Sequence, residues 1–356
     1  MEKVNVLIVP RLGLPQNYMK DIAAVDSRIS VKDGTEQFIA ELRRKGRKGL
    51  LVERLEREAS LQRSSQLPQT QEDLDTLLVQ AEVIYGTILF PDDLLSRAPK
   101  LKWLHIGNPG IDRFLQTGIF DGKAVVTTGR GTTATSVAEH AITFVFMLAK
   151  NAPRFVYNKQ SRQWDQFVTM ELHNRTLGII GLGAIGSEVA RLAKGIGMRV
   201  IATRRSATRR ESNVLGVDEL YPRSELGQML SQCDFVVIAV PITPETKRMV
   251  GEKELRAMKP SAYLINVARG QIVDQAALIK ALKEGWIAGA GLDVFDAEPL
   301  PTASDLWQLP NVILSSHIAA SSDKRSQHIL ELFCDNLRQY LAGAPLLNVV
   351  DKRKGY

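Results

Sequence analysis

A glycine-rich segment, GLGAIG at residues 181–186, has the residue types and spacing that bind phosphate groups. It directly follows the apolar run TLGII and opens a predicted helix, which is the context that this motif requires. Gly181 permits the tight turn, Gly183 lets the backbone approach a pyrophosphate, and Gly186 lets the helix pack closely on the sheet. The N–H groups at the start of the helix favour negative charge. The segment therefore predicts dinucleotide contacts from Gly181, Gly183, Ala184, Ile185 and Gly186.

Two arginines stand where such a site usually carries an acidic residue. Arg204 lies 21 residues after Gly183, at the end of the run RVIAT, where a carboxylate would accept hydrogen bonds from the ribose hydroxyls. An arginine cannot accept these bonds, but it pairs well with a phosphate. The pattern predicts the 2′-phosphate of NADP(H), with NAD(H) also possible, and the alternative is a pair of surface arginines placed there by chance. The predicted contacts are Thr203, Arg204, Arg205 and Ser206.

The elements that must position these residues follow a regular pattern. From residue 176 onward, the apolar runs TLGIIG, RVIAT, DFVVIAV, AYLINV, GAGLDV and NVILSS alternate with amphipathic segments. Short apolar strands separated by helices predict an α/β fold with a parallel, doubly wound sheet. VNVLIVP, AEVIYG, KWLHIG and AVVTTG predict further strands. Residues 36–66 are highly charged, which predicts solvated helices and a polar loop.

Length and composition restrict the possible functions. The 356 residues predict two domains, and 44% hydrophobic residues are enough for ordinary cores. The net charge of +7 is scattered and accompanies no nucleic-acid motif, so we expect no nucleic-acid partner. Cys233 and Cys334 form no Cys/His cluster, which predicts no metal site and a cytoplasmic location. The most apolar helix candidate, residues 141–149, is too short to span a membrane.

Several segments together resemble the D-isomer-specific 2-hydroxyacid dehydrogenases over roughly residues 80–350. The matching segments are TSVAEHAI, GLGAIGSEVARLAKGIGMRV, AVPITPETKRMV, AYLINVARGQIVDQAALIKALKEGWIAGAGLDVFDAEPL and LPNVILSSHIAA. The resemblance implies a Rossmann-type dinucleotide-binding domain at residues 133–321. It also implies a smaller, flavodoxin-like α/β substrate domain formed by residues 1–132 and 322–356.

The resemblance further implies that an arginine, a glutamate and a histidine act together. By motif these are Arg269 in VARG, Glu298 in DAEPL and His317 in SSHIA, each just past an apolar strand. Reduction of a 2-oxo acid needs a proton for the carbonyl oxygen, and imidazole is suited to donate it near neutral pH. A carboxylate beside the imidazole would favour its charged form, and an arginine would bind the substrate carboxylate and polarise the carbonyl. Taken singly, the histidine or the glutamate could be structural.

Other cofactor contacts follow from the same resemblance, with ordinary packing at strand ends as the alternative. Asp293 in GLDVF is expected near the nicotinamide amide, and Ala268 is expected near the nicotinamide because it precedes Arg269. The loop VPITPET is expected near the adenosine or its ribose through Val240, Pro241 and Thr246.

The segment LKWLHIGNPGIDRF resembles the family's loop whose backbone N–H groups hold the substrate carboxylate. Pro109 has no N–H, so one donor is missing, and the side-chain amide of Asn108 could replace it. Arg130, where proline is usual, is expected to face solvent. The predicted substrate contacts are Asn108, Pro109, Gly110 and Arg269.

Together with the arginines at 204 and 205, the resemblance implies an NAD(P)-dependent enzyme that prefers NADPH and reduces a small 2-oxo acid, such as glyoxylate or hydroxypyruvate, to the D-2-hydroxy acid. The resemblance implies a homodimer with the helix TSVAEHAITFVFMLAK near its interface. Two alternatives stay open: an NAD(H)-sensing, corepressor-like binding protein, and an enzyme that oxidises another small anion such as phosphite. A formate dehydrogenase is disfavoured, because that family carries glutamine at the position of Glu298.

Overall fold

The computed structural model describes residues 3–49, 52–53, 55–57, 72–115 and 117–351. The chain divides into two compact units, Met1–Thr132 with Asp323–Tyr356 and Thr133–Ser322, called the first and the second unit below. Their predicted roles in substrate and dinucleotide binding stay a prediction. Of the charged stretch 36–66, residues 50, 51, 54 and 58–66 lie outside the described residues.

The strands and helices follow one another in an alternating order. The strands are β1 (Val4–Ile8), β2 (Ile29–Asp33), β3 (Val83–Gly86), β4 (Trp103–Ile106), β5 (Val125–Thr128), β6 (Thr176–Ile180), β7 (Arg199–Thr203), β8 (Glu211–Val214), β9 (Val217–Tyr221), β10 (Phe235–Ile238), β11 (Tyr263–Asn266), β12 (Gly289–Leu292) and β13 (Val312–Leu314). The helices are α1 (Tyr18–Ala23), α2 (Thr35–Arg44), α3 (Leu74–Gln80), α4 (Leu94–Arg97), α5 (Ala134–Lys150), α6 (Ala152–Ser161), α7 (Ala184–Gly195), α8 (Leu226–Leu230), α9 (Glu252–Ala257), α10 (Gln275–Lys283) and α11 (Arg325–Leu341).

The first unit is built on a five-stranded parallel sheet in the order β2-β1-β3-β4-β5. Every residue of β3 and β4 is buried, as expected for central strands covered on both faces. Helix α11 covers one face of this sheet. Its apolar residues recur at a helical spacing, so they lie on one side of the helix and pack on the strands. Phe333 of this helix packs its ring 5.3 Å from that of Trp103. The carboxyl ends of these strands carry the loop with Asn108.

The second unit is built on an eight-stranded sheet in the order β13-β12-β11-β10-β6-β7-β9-β8. All neighbouring pairs are parallel except β8 with β9, which confirms the predicted doubly wound α/β fold. The chain runs from β6 outward to β7 on one side and later returns to place β10 on the other side of β6. Ligands bind at such a reversal of strand order, outside the carboxyl ends of the strands.

The predictions from composition concerned membrane-spanning helices and the two cysteines. Among the described residues, no helix is long and apolar enough to cross a membrane. Cys233 and Cys334 are both buried and free. Burial raises the pKa of the Cys233 thiol to about 12 and that of Cys334 to about 11, so both stay protonated and unreactive near neutral pH.

Candidate active site

The loops that follow three neighbouring strands of the second unit, β11, β12 and β13, begin side by side. Asn266, the last residue of β11, pairs with Leu292 of β12, and Leu292 pairs with Leu314 of β13. The three loops therefore leave the sheet at one level of its carboxyl edge. They carry the predicted catalytic residues Arg269, Glu298 and His317.

The histidine and the glutamate are joined directly. Nδ1 of His317 lies 2.7 Å from Oε2 of Glu298, while Oε1 of Glu298 accepts a 3.1 Å hydrogen bond from the N–H of Phe295. Burial raises the pKa of the Glu298 carboxyl, but the hydrogen bonds from His317 and Phe295 outweigh it and hold that pKa below its ordinary value. With Nδ1 engaged by a carboxylate, Nε2 of His317 is the ring nitrogen available for proton transfer.

The arginine loop is brought close to the glutamate loop. An added Cβ at Gly270 would lie 1.9 Å from the backbone carbon of Phe295, so only glycine permits this approach. The charge of Arg269 contributes to lowering the pKa of Glu298. The loop is shaped by buried Asn266, whose side chain donates to the carbonyl of Arg269 and accepts from the N–H of Ala268. The structure thus brings Arg269, Glu298 and His317 together.

The loop that carries the histidine is held by a buried carboxylate. Oδ1 of Asp293 accepts hydrogen bonds from Ser315 Oγ at 2.5 Å and from the N–H of Ile318 at 2.8 Å. Its Oδ2 accepts from the N–H of Ala319 at 3.0 Å, and its backbone oxygen accepts from the N–H of His317. Asp293 is 1% exposed. The side chain therefore positions the histidine loop, and its predicted contact with nicotinamide stays a prediction.

A second histidine, absent from the sequence-based predictions, supports the same loop. Nε2 of His140, on α5, lies 2.9 Å from Oγ of Ser315, which in turn donates to Asp293. Asp293 could be singled out from the sequence, because it lies in the apolar run GAGLDV and a buried carboxylate must find hydrogen-bond donors. His140 and Ser315 offered no comparable signal, since they are 175 positions apart.

The glycine loop has the geometry that its motif predicts. Gly181 has φ +102°, and an added Cβ would lie 2.4 Å from Val240 Cγ1, so a side chain is excluded there. A Cβ at Gly186 would lie 2.1 Å from the carbonyl oxygen of Gly181. A Cβ at Gly183, by contrast, would meet no described atom within 4 Å. Gly183 therefore leaves room over the loop at the start of α7, where a phosphate would fit.

The predicted phosphate-binding arginines follow the adjacent strand. The carbonyl of Thr203 accepts 3.1 Å hydrogen bonds from the N–H groups of Gly181 and Leu182, which ties the end of β7 to the glycine loop. Arg204, Arg205 and Ser206 are exposed, whereas Thr203 is buried. Among the described residues, the Arg204 side chain makes no hydrogen bond or ion pair. Exposed arginines beside a glycine loop can hold a phosphate.

The remaining predicted cofactor residues follow the neighbouring strands β10 and β11. Val240 contacts the glycine loop at the reversal of strand order. Thr246 Oγ1 donates to the carbonyl of Pro241 at 2.7 Å and accepts from the N–H of Thr243, so its hydroxyl closes the loop. Ala268 is buried and its carbonyl accepts from Arg269. The contacts of Val240, Pro241, Thr246 and Ala268 with a cofactor stay predictions.

The predicted substrate loop of the first unit is rich in available donors. It follows β4 and packs on the loop after β5, where Gly129 donates to the carbonyl of Asn108 at 3.3 Å. The N–H groups of Asn108 and Gly110 donate to no described atom, and Pro109 between them has no N–H. The Asn108 side-chain oxygen accepts a 3.0 Å hydrogen bond from Arg325. Arg130 is exposed, in agreement with the expectation that it faces solvent.

No group of three or more histidine, cysteine, aspartate or glutamate side chains is arranged to hold a metal ion in the part of the chain that the structure describes.

Comparisons with known families and proteins agree with this geometry. A family model described as D-isomer specific 2-hydroxyacid dehydrogenase, NAD binding domain, matches residues 142–319. A glyoxylate reductase of Korarchaeum cryptofilum is 38% identical over 274 residues, which cover 73% of this chain and 79% of that protein. A glyoxylate reductase of Thermococcus litoralis is 37% identical over 288 residues, covering 77% and 84%.

A solved structure is similar along almost the whole chain. It is a D-isomer specific 2-hydroxyacid dehydrogenase family protein from Aeromonas salmonicida, with a TM-score of 0.77 and 26% sequence identity. The alignment covers 99% of this chain and 100% of that one. The similarity therefore extends over both units.

Proposed function

Since the chain belongs to the D-isomer specific 2-hydroxyacid dehydrogenase family, we propose that it reduces a small 2-oxo acid to the D-2-hydroxy acid with NADPH as the preferred reductant. Glyoxylate and hydroxypyruvate are the proposed substrates. The similarity to glyoxylate reductases supports this choice, because it covers most of the chain. The observation that carries the proposal is the His317–Glu298 hydrogen bond at the edge of the sheet that also holds Arg269.

The geometry of the pair supports a route for the proton transfer. Glu298 accepts from Nδ1 of His317, so the carboxylate stabilises the charged imidazole and the proton for transfer lies on Nε2. That proton goes to the carbonyl oxygen as it becomes a hydroxyl. Arg269 polarises the same carbonyl and attracts the substrate carboxylate. When bound, the nicotinamide supplies the hydride that reduces the carbonyl carbon.

The glycine loop and the arginines support NADPH as the cofactor. The space above Gly183 would accommodate a pyrophosphate at the start of α7. Exposed Arg204 and Arg205 would hold the 2′-phosphate, with the Ser206 hydroxyl beside them. A site for NADH alone would favour a carboxylate at Arg204.

The first-unit loop is proposed to hold the substrate carboxylate. The N–H groups of Asn108 and Gly110 supply two donors, and the Asn108 amide supplies a third in place of the N–H that Pro109 lacks. Three donors match the oxygen atoms of a carboxylate better than they match a neutral ligand. This loop therefore supports an acidic substrate.

We also propose that the protein is a homodimer. Helix α6 has no buried residue, and the segment that follows it includes Trp164 and Val168, which are 94% and 98% exposed. Exposed apolar side chains that are concentrated in one stretch of the chain support an interaction site. The exposed large apolar side chains between residues 146 and 168 are Phe146, Phe155, Val156, Tyr157, Trp164 and Val168. A second copy of the chain is the proposed occupant, and light scattering of the wild type beside Trp164→Ser measures whether the dimer is lost.

The proposed location is the cytoplasm. Both cysteines are free, as a reducing compartment allows.

The test of the catalytic proposal is the oxidation of NADPH and of NADH, measured side by side by absorbance against a panel of 2-oxo acids that includes glyoxylate and hydroxypyruvate. We expect turnover with NADPH preferred and, from hydroxypyruvate, the D-hydroxy acid on chiral chromatography. His317→Ala should lower kcat by about 10²- to 10⁴-fold and leave NADPH binding intact, because only the proton donor is lost. Cofactor binding without any turnover would instead favour an NAD(H)-sensing, corepressor-like binding protein. Reduction of NAD⁺ in the presence of phosphite would favour an enzyme that oxidises phosphite.

A further inference from the structure

One contact in the first unit joins the substrate loop to the start of α11. A terminal guanidinium nitrogen of Arg325 donates a 3.0 Å hydrogen bond to Oδ1 of Asn108. Both residues are partly buried, and 217 positions separate them in the sequence. The contact brings a permanent positive charge next to the loop that carries the unused N–H donors.

This contact determines which way the amide of Asn108 faces. A guanidinium has donors only, so it must meet the oxygen of the amide and cannot meet the NH₂ group. The NH₂ group therefore forms the other branch of the planar amide and points away from the guanidinium. Without Arg325, rotation about the last side-chain bond would exchange oxygen and nitrogen at little cost, since that torsion has two similar minima.

The orientation matters because this loop contains a proline. Pro109 removes one backbone donor from the segment between the N–H groups of Asn108 and Gly110. An amide NH₂ in its place attracts a carboxylate, whereas an amide oxygen in the same position repels it. The Asn108 side chain is useful to an anionic substrate in only one of its two orientations.

We propose that Arg325 is a positioning residue that locks Asn108 as a hydrogen-bond donor and thereby tunes the protein toward substrates with a carboxylate. The inference rests on the proposed function and extends it to a residue that neither the motif nor the spacing singled out. Arg325 acts through Asn108 and takes no part in the transfer of hydride or proton. Its loss should therefore raise KM far more than it changes kcat.

The test is a double-mutant cycle with glyoxylate as the substrate and saturating NADPH. Arg325→Met should raise KM by about tenfold, the effect of one charge-assisted hydrogen bond, with kcat changed by less than about threefold. Asn108→Ala should raise KM to a similar extent. The double variant should be no worse than Asn108→Ala alone, because Arg325 has nothing left to orient. Arg325→Lys should restore most of the affinity, since lysine also only donates.

A matched control separates positioning from a general loss of charge. Arg338 lies on the same helix, is exposed, and pairs with Asp335 three residues earlier. Arg338→Met removes the same charge and should leave KM unchanged. The melting temperatures and NADPH dissociation constants of all variants should match the wild type.

Two results would overturn the inference. One is an additive cycle, in which the double variant multiplies the two KM increases, since Arg325 would then act independently of Asn108. The other is an Arg325→Met effect no larger than that of Arg338→Met. Wild-type turnover of a 2-oxo acid is measured first. The absence of this turnover would contradict the proposed function itself. Turnover together with an additive cycle would contradict only the role of Arg325.

Discussion

Nδ1 of His317 and Oε2 of Glu298 lie 2.7 Å apart, although the two residues follow different strands and are 19 positions apart in the sequence. Register along β12 and β13 makes this possible, because Leu292 and Leu314 leave the sheet at the same level. The pair is half-exposed, so a substrate can reach it while the carboxylate stays hydrogen-bonded.

The lowered pKa of Glu298 predicts a pH-dependent contribution to stability. A carboxyl whose pKa is lower in the folded than in the unfolded state stabilises the fold above its unfolded pKa, about 4.3, and loses this effect as the pH falls through the folded value. Glu298→Gln keeps an acceptor for His317 but removes the charge. The difference in melting temperature between the wild type and Glu298→Gln should shrink as the pH falls from about 5 to about 3, because the carboxyl is protonated in this interval. A difference that grows over the same interval would contradict the assigned direction.

The contacts of Asp293 predict that replacing this single carboxylate by an amide lowers both stability and activity. Asp293→Asn replaces one acceptor oxygen by an NH₂ group that faces the N–H of Ala319 or the donors at Oδ1. A buried donor left without an acceptor costs about 1–3 kcal/mol, and the histidine loop should shift as well. We expect a lower melting temperature together with a fall in kcat. Ser315→Ala is the milder comparison, since it removes one hydrogen-bond donor to Asp293 and leaves both backbone donors in place. An equal effect of Asp293→Asn and Ser315→Ala would argue against this account.

The two glycines Gly183 and Gly186 should respond in opposite ways to the same added methyl group. At Gly183 a Cβ meets no described atom within 4 Å, so Gly183→Ala should keep the wild-type melting temperature and weaken NADPH binding by about tenfold or more. At Gly186 a Cβ would lie 2.1 Å from the oxygen of Gly181, so Gly186→Ala should destabilise the second unit. Thermal melts and cofactor titrations distinguish the two. Normal NADPH affinity in Gly183→Ala would show that the space above this glycine is not used by phosphate.

Arg204→Asp tests the cofactor preference. Removing one charge-assisted hydrogen bond and adding a negative charge should weaken NADPH by at least about tenfold, whereas NADH should bind as well as before or better. Arg209→Asp is the matched control, because Arg209 lies on the same connection, is 82% exposed in its side chain and is only weakly paired with Glu211. Equal losses for NADPH and NADH in Arg204→Asp would contradict a role in binding the 2′-phosphate.

Much of the fold was predictable because its strands carry a local signal. The runs TLGII, FVVI and YLIN are mostly apolar, as expected for strands covered on both faces, and they form β6, β10 and β11. The polar strand β8, ESNV, has no such pattern and pairs only at the antiparallel edge, so local sequence could not identify it. Gly181 and Gly186 were predictable for the same local reason, since their roles depend on the turn that contains them.

The amino-acid sequence by itself determined most of the apolar strands, the glycine loop and the motif positions of Arg269, Glu298 and His317. Only the tertiary structure decided which side chains work together: Asp293 with the loop of His317, and Arg325 with Asn108. The physical reason is that hydrophobic periodicity records burial, residue by residue, whereas a hydrogen bond between distant loops depends on sheet register and loop conformation. Neither of these repeats along the chain, so the contacts that orient the candidate site become visible only when the strands are in place.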